Sequence, residues 1–170
     1  VDGYRTNSCQ GGAQAGKRFE SPAELKPAAR FVDVRPGAYL PEAHLKDNEL
    51  DGVYGSVLYP TEGLLLFSVP DSALLTAIFR AYNDWMIEFC SVAPQRFWGL
   101  ALISLWNIER AVQELERCRK AGLRGAAIGL VPAEELLYGS DHYERFWAAC
   151  QDLAMSVNMH INSGPGRLKF

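Results

Sequence analysis

Between residues 53 and 161 the chain alternates short apolar runs with amphipathic stretches of helical length, and this alternation restricts the fold more than any single residue does. Residues 53–59 (Val-Tyr-Gly-Ser-Val-Leu-Tyr), closed by Pro60, predict a strand. Residues 97–105 are apolar at consecutive positions, as expected of a strand buried on both faces. Residues 125–131 and 155–161 predict two more strands. A short helix precedes the first of these, with Pro41 in its opening turn and Asp51-Gly52 as its stop after Leu50. Asp71 can cap the next helix, whose stripe of Leu74, Leu75, Ile78, Phe79, Tyr82, Trp85, Met86 and Phe89 recurs at three- and four-residue spacing until Pro94 ends the segment. Asn107 caps another, carrying Val112, Leu115 and Cys118 inward, and Gly122 ends it. Ser140 or Asp141 opens the last, which buries Phe146, Trp147, Cys150 and Leu153.

The order is therefore βαβαβαβ, with each helix long enough to cross between parallel neighbours. A barrel and an open doubly wound sheet both satisfy the need of parallel strands for cover on two faces. The 170 residues fall short of the roughly 250 of a complete (β/α)8 barrel. Residues 1–38, rich in Gly, Pro and small polar side chains, are expected to form an irregular segment or insertion with one weak helix near residues 21–29. Residues 39–170 carry the regular pattern.

Seventeen basic and 20 acidic residues, scattered along the chain, give a net charge of −3, which argues against a nucleic-acid surface. No apolar run approaches the roughly 20 residues of a membrane span. The opening residues lack the apolar core of a signal peptide. Residue 1 is Val rather than Met, so a removed start or a longer parent chain is expected. Cys9, Cys90, Cys118 and Cys150 form no CxxC pair and read as buried reduced thiols, which favours the cytoplasm.

Residues 11–17 (Gly-Gly-Ala-Gln-Ala-Gly-Lys) have the spacing of a phosphate loop, but Arg18 stands where Ser or Thr should hold magnesium. No apolar strand leads in and no helix opens at Lys17, so a flexible loop is the reading. GxSxG and HExxH are absent. Glu109, Glu114 and Glu116 belong on solvent faces of a helix. His44 and His142 are expected to be solvated. His160 differs, because it stands at the carboxyl end of the last predicted strand, where parallel α/β folds build their sites, and imidazole is a common ligand for divalent ions.

The runs Arg35-Pro-Gly-Ala-Tyr39, Pro41-Glu-Ala-His-Leu-Lys-Asp47, Leu50-Asp-Gly-Val53 and Val57-Leu-Tyr-Pro-Thr61 resemble the amidohydrolase-related family. This is the branch of the amidohydrolase superfamily that holds the aminocarboxymuconate-semialdehyde decarboxylase-like enzymes. Ala81-Tyr-Asn-Asp-Trp85, Pro94-Gln-Arg-Phe97, Ala121-Gly-Leu-Arg-Gly125, Phe146-Trp-Ala-Ala-Cys-Gln151 and Met159-His-Ile161 extend the resemblance over residues 30–164. It implies a distorted (β/α)8 TIM barrel, of which this chain would hold strands two to five. It also implies one divalent metal, with zinc as the expected ion. Family members hold that metal with an HxH pair on the first strand, a histidine ending the fifth and an aspartate ending the eighth, and a histidine after the sixth strand serves as acid and base. On this count His160 falls at the fifth-strand metal position.

The implied function is a metal-dependent hydrolase or non-oxidative decarboxylase acting on a small carboxylated or cyclic substrate. Tyr59, Thr61, Asn162 and Ser163, at strand ends, are candidates for contacts with substrate or with the metal's ligands. No HxH occurs in these residues. A catalytic metal needs about three protein ligands, so this chain alone is expected not to be a competent enzyme. The alternative is a non-catalytic α/β fragment whose exposed strand edges are covered by self-association as a homo-oligomer or by a partner.

Overall fold

A computed structural model describes residues 13–24, 30–61, 63–132, 136–161 and 163–164. They form two compact units that divide between Tyr54 and Gly55.

The first unit consists of 3-10 turns at Pro22–Glu24, Phe31–Asp33 and Pro36–Ala38, followed by helix α1, Pro41–Leu50. Pro41 begins α1, and Gly52 ends it in the left-handed conformation at φ 68°, as the sequence predicts. The turn at residues 36–38 lies so close to α1 that a Cβ on Gly37 would sit 2.0 Å from the Asp47 carboxylate. Arg35 Nη2 donates to Asp47 Oδ1 at 2.8 Å across the same contact. His44 is not solvated as expected. It is half-buried, with Nδ1 2.8 Å from the Gly37 carbonyl, because that turn packs against its face of α1. In the described part of the loop motif, the Lys17 N–H bonds to the Gln14 carbonyl at 3.1 Å, and Gly16 takes φ 74°. Gly11, Gly12, Cys9 and residues 25–29 of the weak helix lie outside the described residues.

The second unit carries four parallel strands in the order β1-β2-β3-β4: Ser56–Leu58, Phe97–Leu102, Gly125–Ile128 and Ser156–Met159. Helices α2 (Ser72–Ser91), α3 (Ile108–Lys120) and α4 (Glu144–Asp152) alternate with them, which is the βαβαβαβ order expected. Local chemistry sets the helix ends. Asp71 Oδ1 accepts the Ala73 and Leu74 N–H groups at 2.9 and 3.0 Å, and Asn107 Oδ1 accepts the Arg110 N–H at 3.0 Å. Gly122 leaves α3 at φ 105°. The last helix departs slightly from expectation: Ser140 precedes a 3-10 turn, Asp141–Tyr143, without a side-chain cap bond.

Every strand is shorter than predicted, and at several ends the backbone finds another partner. The Val53 N–H bonds the Asn48 carbonyl at the end of α1. After β3, the Leu130 N–H bonds Ser163, and the Gly129 carbonyl accepts the Tyr138 hydroxyl. At the end of β2, Asn83 of α2 stands in for a missing strand. Its Oδ1 accepts the Leu102 N–H at 2.8 Å and its Nδ2 donates to the Leu102 carbonyl at 3.0 Å. β1 stops at Leu58, opposite Gly99, so it offers Leu102 no backbone.

Phe79 and Leu75 of α2 pack with Leu100, Leu102 and Ala127 into the core, flanked by Phe67 and Tyr82. The apolar stripe read along α2 is too wide: Leu74 and Trp85 are exposed, and the face turned to the sheet carries Leu75, Phe79, Asn83, Met86 and Cys90. Trp147 and Leu153 are half-buried rather than buried. Gly99 lets α2 approach β2, because a Cβ there would lie 2.6 Å from Met86 and 2.9 Å from Cys90. Between α2 and α3, Arg117 bridges Glu114 and Asp84 at 2.6 Å each. Cys90, Cys118 and Cys150 are buried and unpaired, and burial pushes the Cys118 thiol up to about 12 and Cys150 to about 11. Among the described residues, no helix is long and apolar enough to cross a membrane.

Candidate active site

The strand register decides which side chains share a face. Leu58 pairs with Gly99, Leu100 with Gly125, and Gly125 with Ser156. One residue past Leu58, Tyr59 thus falls in the row of Leu100, Gly125 and Ser156. The next row holds Leu102, Ala127 and Asn158. Gly125 leaves a gap that its neighbours fill: a Cβ there would be 2.4 Å from Ser156 Oγ and 2.7 Å from Leu100 Cδ2.

Tyr59 and Asn158 stand on the two outer strands, three strand spacings or about 14 Å apart along the sheet. Even so, the Tyr59 hydroxyl donates to Asn158 Oδ1 at 3.1 Å. The sheet curls toward this face, as a barrel sheet does, and the curl carries the side chains across the concavity. The Asn158 amide is held in one sense. Its Nδ2 donates to Ser156 Oγ at 3.0 Å and to the Ala126 carbonyl at 3.3 Å, leaving Oδ1 for the phenol.

His160 follows β4 by one residue and continues the alternation of Ser156 and Asn158. Its ring lies 5.9 Å from that of Tyr59, at 54°. Nδ1 is 2.7 Å from the Ile161 carbonyl. A carbonyl only accepts, so Nδ1 is the donor here, and in the neutral ring the lone pair belongs to Nε2. That is the tautomer a metal or a proton needs. His160 is exposed, as is the Tyr59 ring.

The other expected residues divide. Thr61 is exposed in the turn after β1, its N–H bonded to the Tyr59 carbonyl at 3.0 Å. Ser163 is buried and its hydroxyl is engaged by backbone: it accepts the Leu130 N–H at 3.1 Å and reaches the carbonyls of His160 and Ile128. It thereby ties the loop after β4 to the end of β3. Asn162 lies outside the described residues. Ser156 and Asn158 went unnoticed in the sequence, although counting back by twos from His160 finds both. His142 is exposed beside Tyr143. Among the described residues no three His, Cys, Asp or Glu side chains stand close enough to hold a metal ion. The described residues thus do not fit the whole of such a site.

Residues 67–165 match the family described as amidohydrolase. The chain is 27% identical over 167 residues to a gamma-resorcylate decarboxylase of Rhizobium radiobacter, covering 89% of this chain and 50% of that protein. It thus spans about half the length of that curated relative. A dihydroxybenzoic acid decarboxylase from a Polaromonas species, solved with manganese and the inhibitor 2-nitroresorcinol, is 26% identical and superposes with a TM-score of 0.58 over 69% of this chain and 37% of that one. An amidohydrolase from Mycobacterium avium subsp. paratuberculosis, 21% identical, shares the fold with a TM-score of 0.68 over 83% of this chain and 38% of its own. The four parallel strands and their helices are therefore part of an amidohydrolase TIM barrel.

Proposed function

This chain belongs to the amidohydrolase family, and from that premise we propose that it forms part of a decarboxylase of hydroxylated aromatic acids, with the ends of β1 and β4 at the active site. The observation that carries the reading is the meeting of Tyr59, Asn158 and His160 at the carboxyl ends of the strands, where barrels of this type do chemistry. Likeness to gamma-resorcylate and dihydroxybenzoate decarboxylases favours decarboxylation over hydrolysis. The exposed faces of Tyr59 and His160 suit an aromatic ring, and the phenol can turn from Asn158 to donate to a carboxylate or ring hydroxyl. In the reaction the bond from ring carbon to carboxylate breaks, CO2 leaves, and a proton takes its place on the ring.

His160 is proposed as one ligand of a divalent cation through Nε2. Manganese, in place of the expected zinc, is the ion in the Polaromonas relative. The cation's remaining ligands are to be sought outside the described residues, and Thr61, Asn162 and Ser163 are proposed to shape the rim. The test is conversion of 2,6-dihydroxybenzoate to resorcinol by the polypeptide of the full reading frame, with manganese supplied. Turnover should fall at least about 100-fold in His160→Ala. Undiminished turnover in that variant refutes the role of His160.

A second reading, a non-catalytic fragment, is favoured by the exposed apolar residues Val57, Val157, Met159 and Ile161 on and beside the outer strands. Under it the isolated chain would elute as a self-associated species in size-exclusion chromatography and hold no stoichiometric metal.

A further inference from the structure

A cleft of about 740 Å³ opens between the first turns of α2, the end of β2 and the first turns of α3. Its volume lies within the range of small-molecule sites. Its floor is apolar, formed by Phe79, Leu102 and Ile103, all buried. At its rim stands Trp106, 60% exposed, an unusual position for the largest side chain.

The polar groups of the cleft are not balanced among themselves. Among the described residues Glu114 is its one carboxylate, and it already accepts from Arg80, Arg117 and Asn83. Arg80 is held by Glu114 and by Asp84. Arg110 is exposed, and among the described residues its guanidinium has no ion pair or hydrogen bond. Ser104 lines the same cleft, and among the described residues its Oγ is buried with no hydrogen-bond partner. A buried hydroxyl without a partner costs about 1–3 kcal/mol, which a ligand that reached it would relieve. The start of α3 adds positive potential, because its cap, Asn107, is neutral and the acid of its first turn, Glu109, is engaged by Arg145.

We infer that this cleft binds a small aromatic carboxylate, its ring against Trp106 and the apolar floor and its carboxylate on Arg110 and Ser104. Among the described residues of the lining one guanidinium is unengaged, which matches one carboxylate, with the forked geometry that pairing prefers. A phosphate would bring a second charge that no unengaged cation among the described lining residues answers. The site is distinct in lining from Tyr59, Asn158 and His160, so it stands or falls apart from the decarboxylase reading.

Benzoate is the probe, titrated into the chain and followed by calorimetry and by NMR of backbone amides and the indole N–H groups. Shifts are expected at Trp106 and the first turn of α3. Arg110→Gln, a change at an exposed unpaired residue, should weaken benzoate about tenfold or more. Ser104→Ala should weaken it by a smaller factor with the circular dichroism unchanged. Benzyl alcohol, which keeps the ring and lacks the charge, should bind weakly and equally to the parent and the Arg110→Gln variant. Benzoate affinity unchanged in both variants, or shifts confined to Tyr59 and His160, would overturn the inference. Loss of decarboxylation with cleft binding intact would refute the other reading and leave this one.

Discussion

The two inner strands and the two outer strands of this sheet have the same direction and similar sequence character, yet they occupy opposite environments. Leu100, Ala101 and Leu102 of β2 and Ala126, Ala127 and Ile128 of β3 are no more than 2% exposed. Val57 of β1 is 53% exposed and Val157 of β4 is 37% exposed. The difference assigns two tasks. The inner pair supplies the stability of the unit, since each fully buried aliphatic chain contributes roughly 1.5–3 kcal/mol. The outer pair contributes little burial, and its ends carry the polar and aromatic groups of the candidate site.

Substitutions at graded positions test that division. The largest effect is expected for Phe79→Ala, which empties the site packed on Leu100 and Leu102 and should cost about 3–5 kcal/mol in a denaturant titration. Asn83→Leu removes both partners of the Leu102 backbone and should cost roughly 2–4 kcal/mol by the same measurement, because two buried groups lose their bonds. Gly125→Val, at the joint between inner and outer strands, forces a side chain against Ser156 and Leu100 and should cost about 1–3 kcal/mol.

A pH test probes the polar seam beside the inner strands. Burial alone would raise the Glu114 carboxyl. Hydrogen bonds from Arg117 and Asn83, with the charges of Arg117 and Arg80, outweigh it and hold the group below the usual carboxylate range. A depressed folded value means the stabilisation is complete above the unfolded pKa of about 4.3 and is lost as pH falls through the lower folded value. Stability measured from pH 6 downward should therefore decline in that acid window, and the decline should be shallower in Glu114→Gln.

The smallest effects belong to the outer strands. Val57→Thr and Val157→Thr should each change stability by no more than about 0.5 kcal/mol. A loss above about 1 kcal/mol at either position would break the comparison, since it would mean the edge is covered in solution. Size-exclusion chromatography of Val157→Lys would then identify self-association by its loss.

The existence, order and type of the elements were legible in the residues. Consecutive apolar positions in 97–102 and the caps Asp71, Asn107 and Gly122 act within a turn or a strand, so local reading finds them. A strand end differs from the expected one where the backbone bonds to something distant, as Leu130 does to Ser163. At the candidate site, position alone drew notice to His160 and Tyr59. Asn158, which links the outer strands, escaped because a lone Asn in a strand looks like a surface residue until its partner 99 positions away is known.

By itself the sequence determined a parallel βα succession, the burial of the strand that begins at Phe97, and the residue types offered at the strand ends. These follow from the period of apolar positions and from caps that act between near neighbours. Only the tertiary structure decided that the sheet curls enough to join Tyr59 to Asn158, that Ser163 is spent on backbone, and that Arg110 and Trp106 line one cleft where, among the described residues, the guanidinium has no partner. Each depends on the summed twist of several strand pairings and on which charges have already found partners, quantities that no local stretch of residues contains.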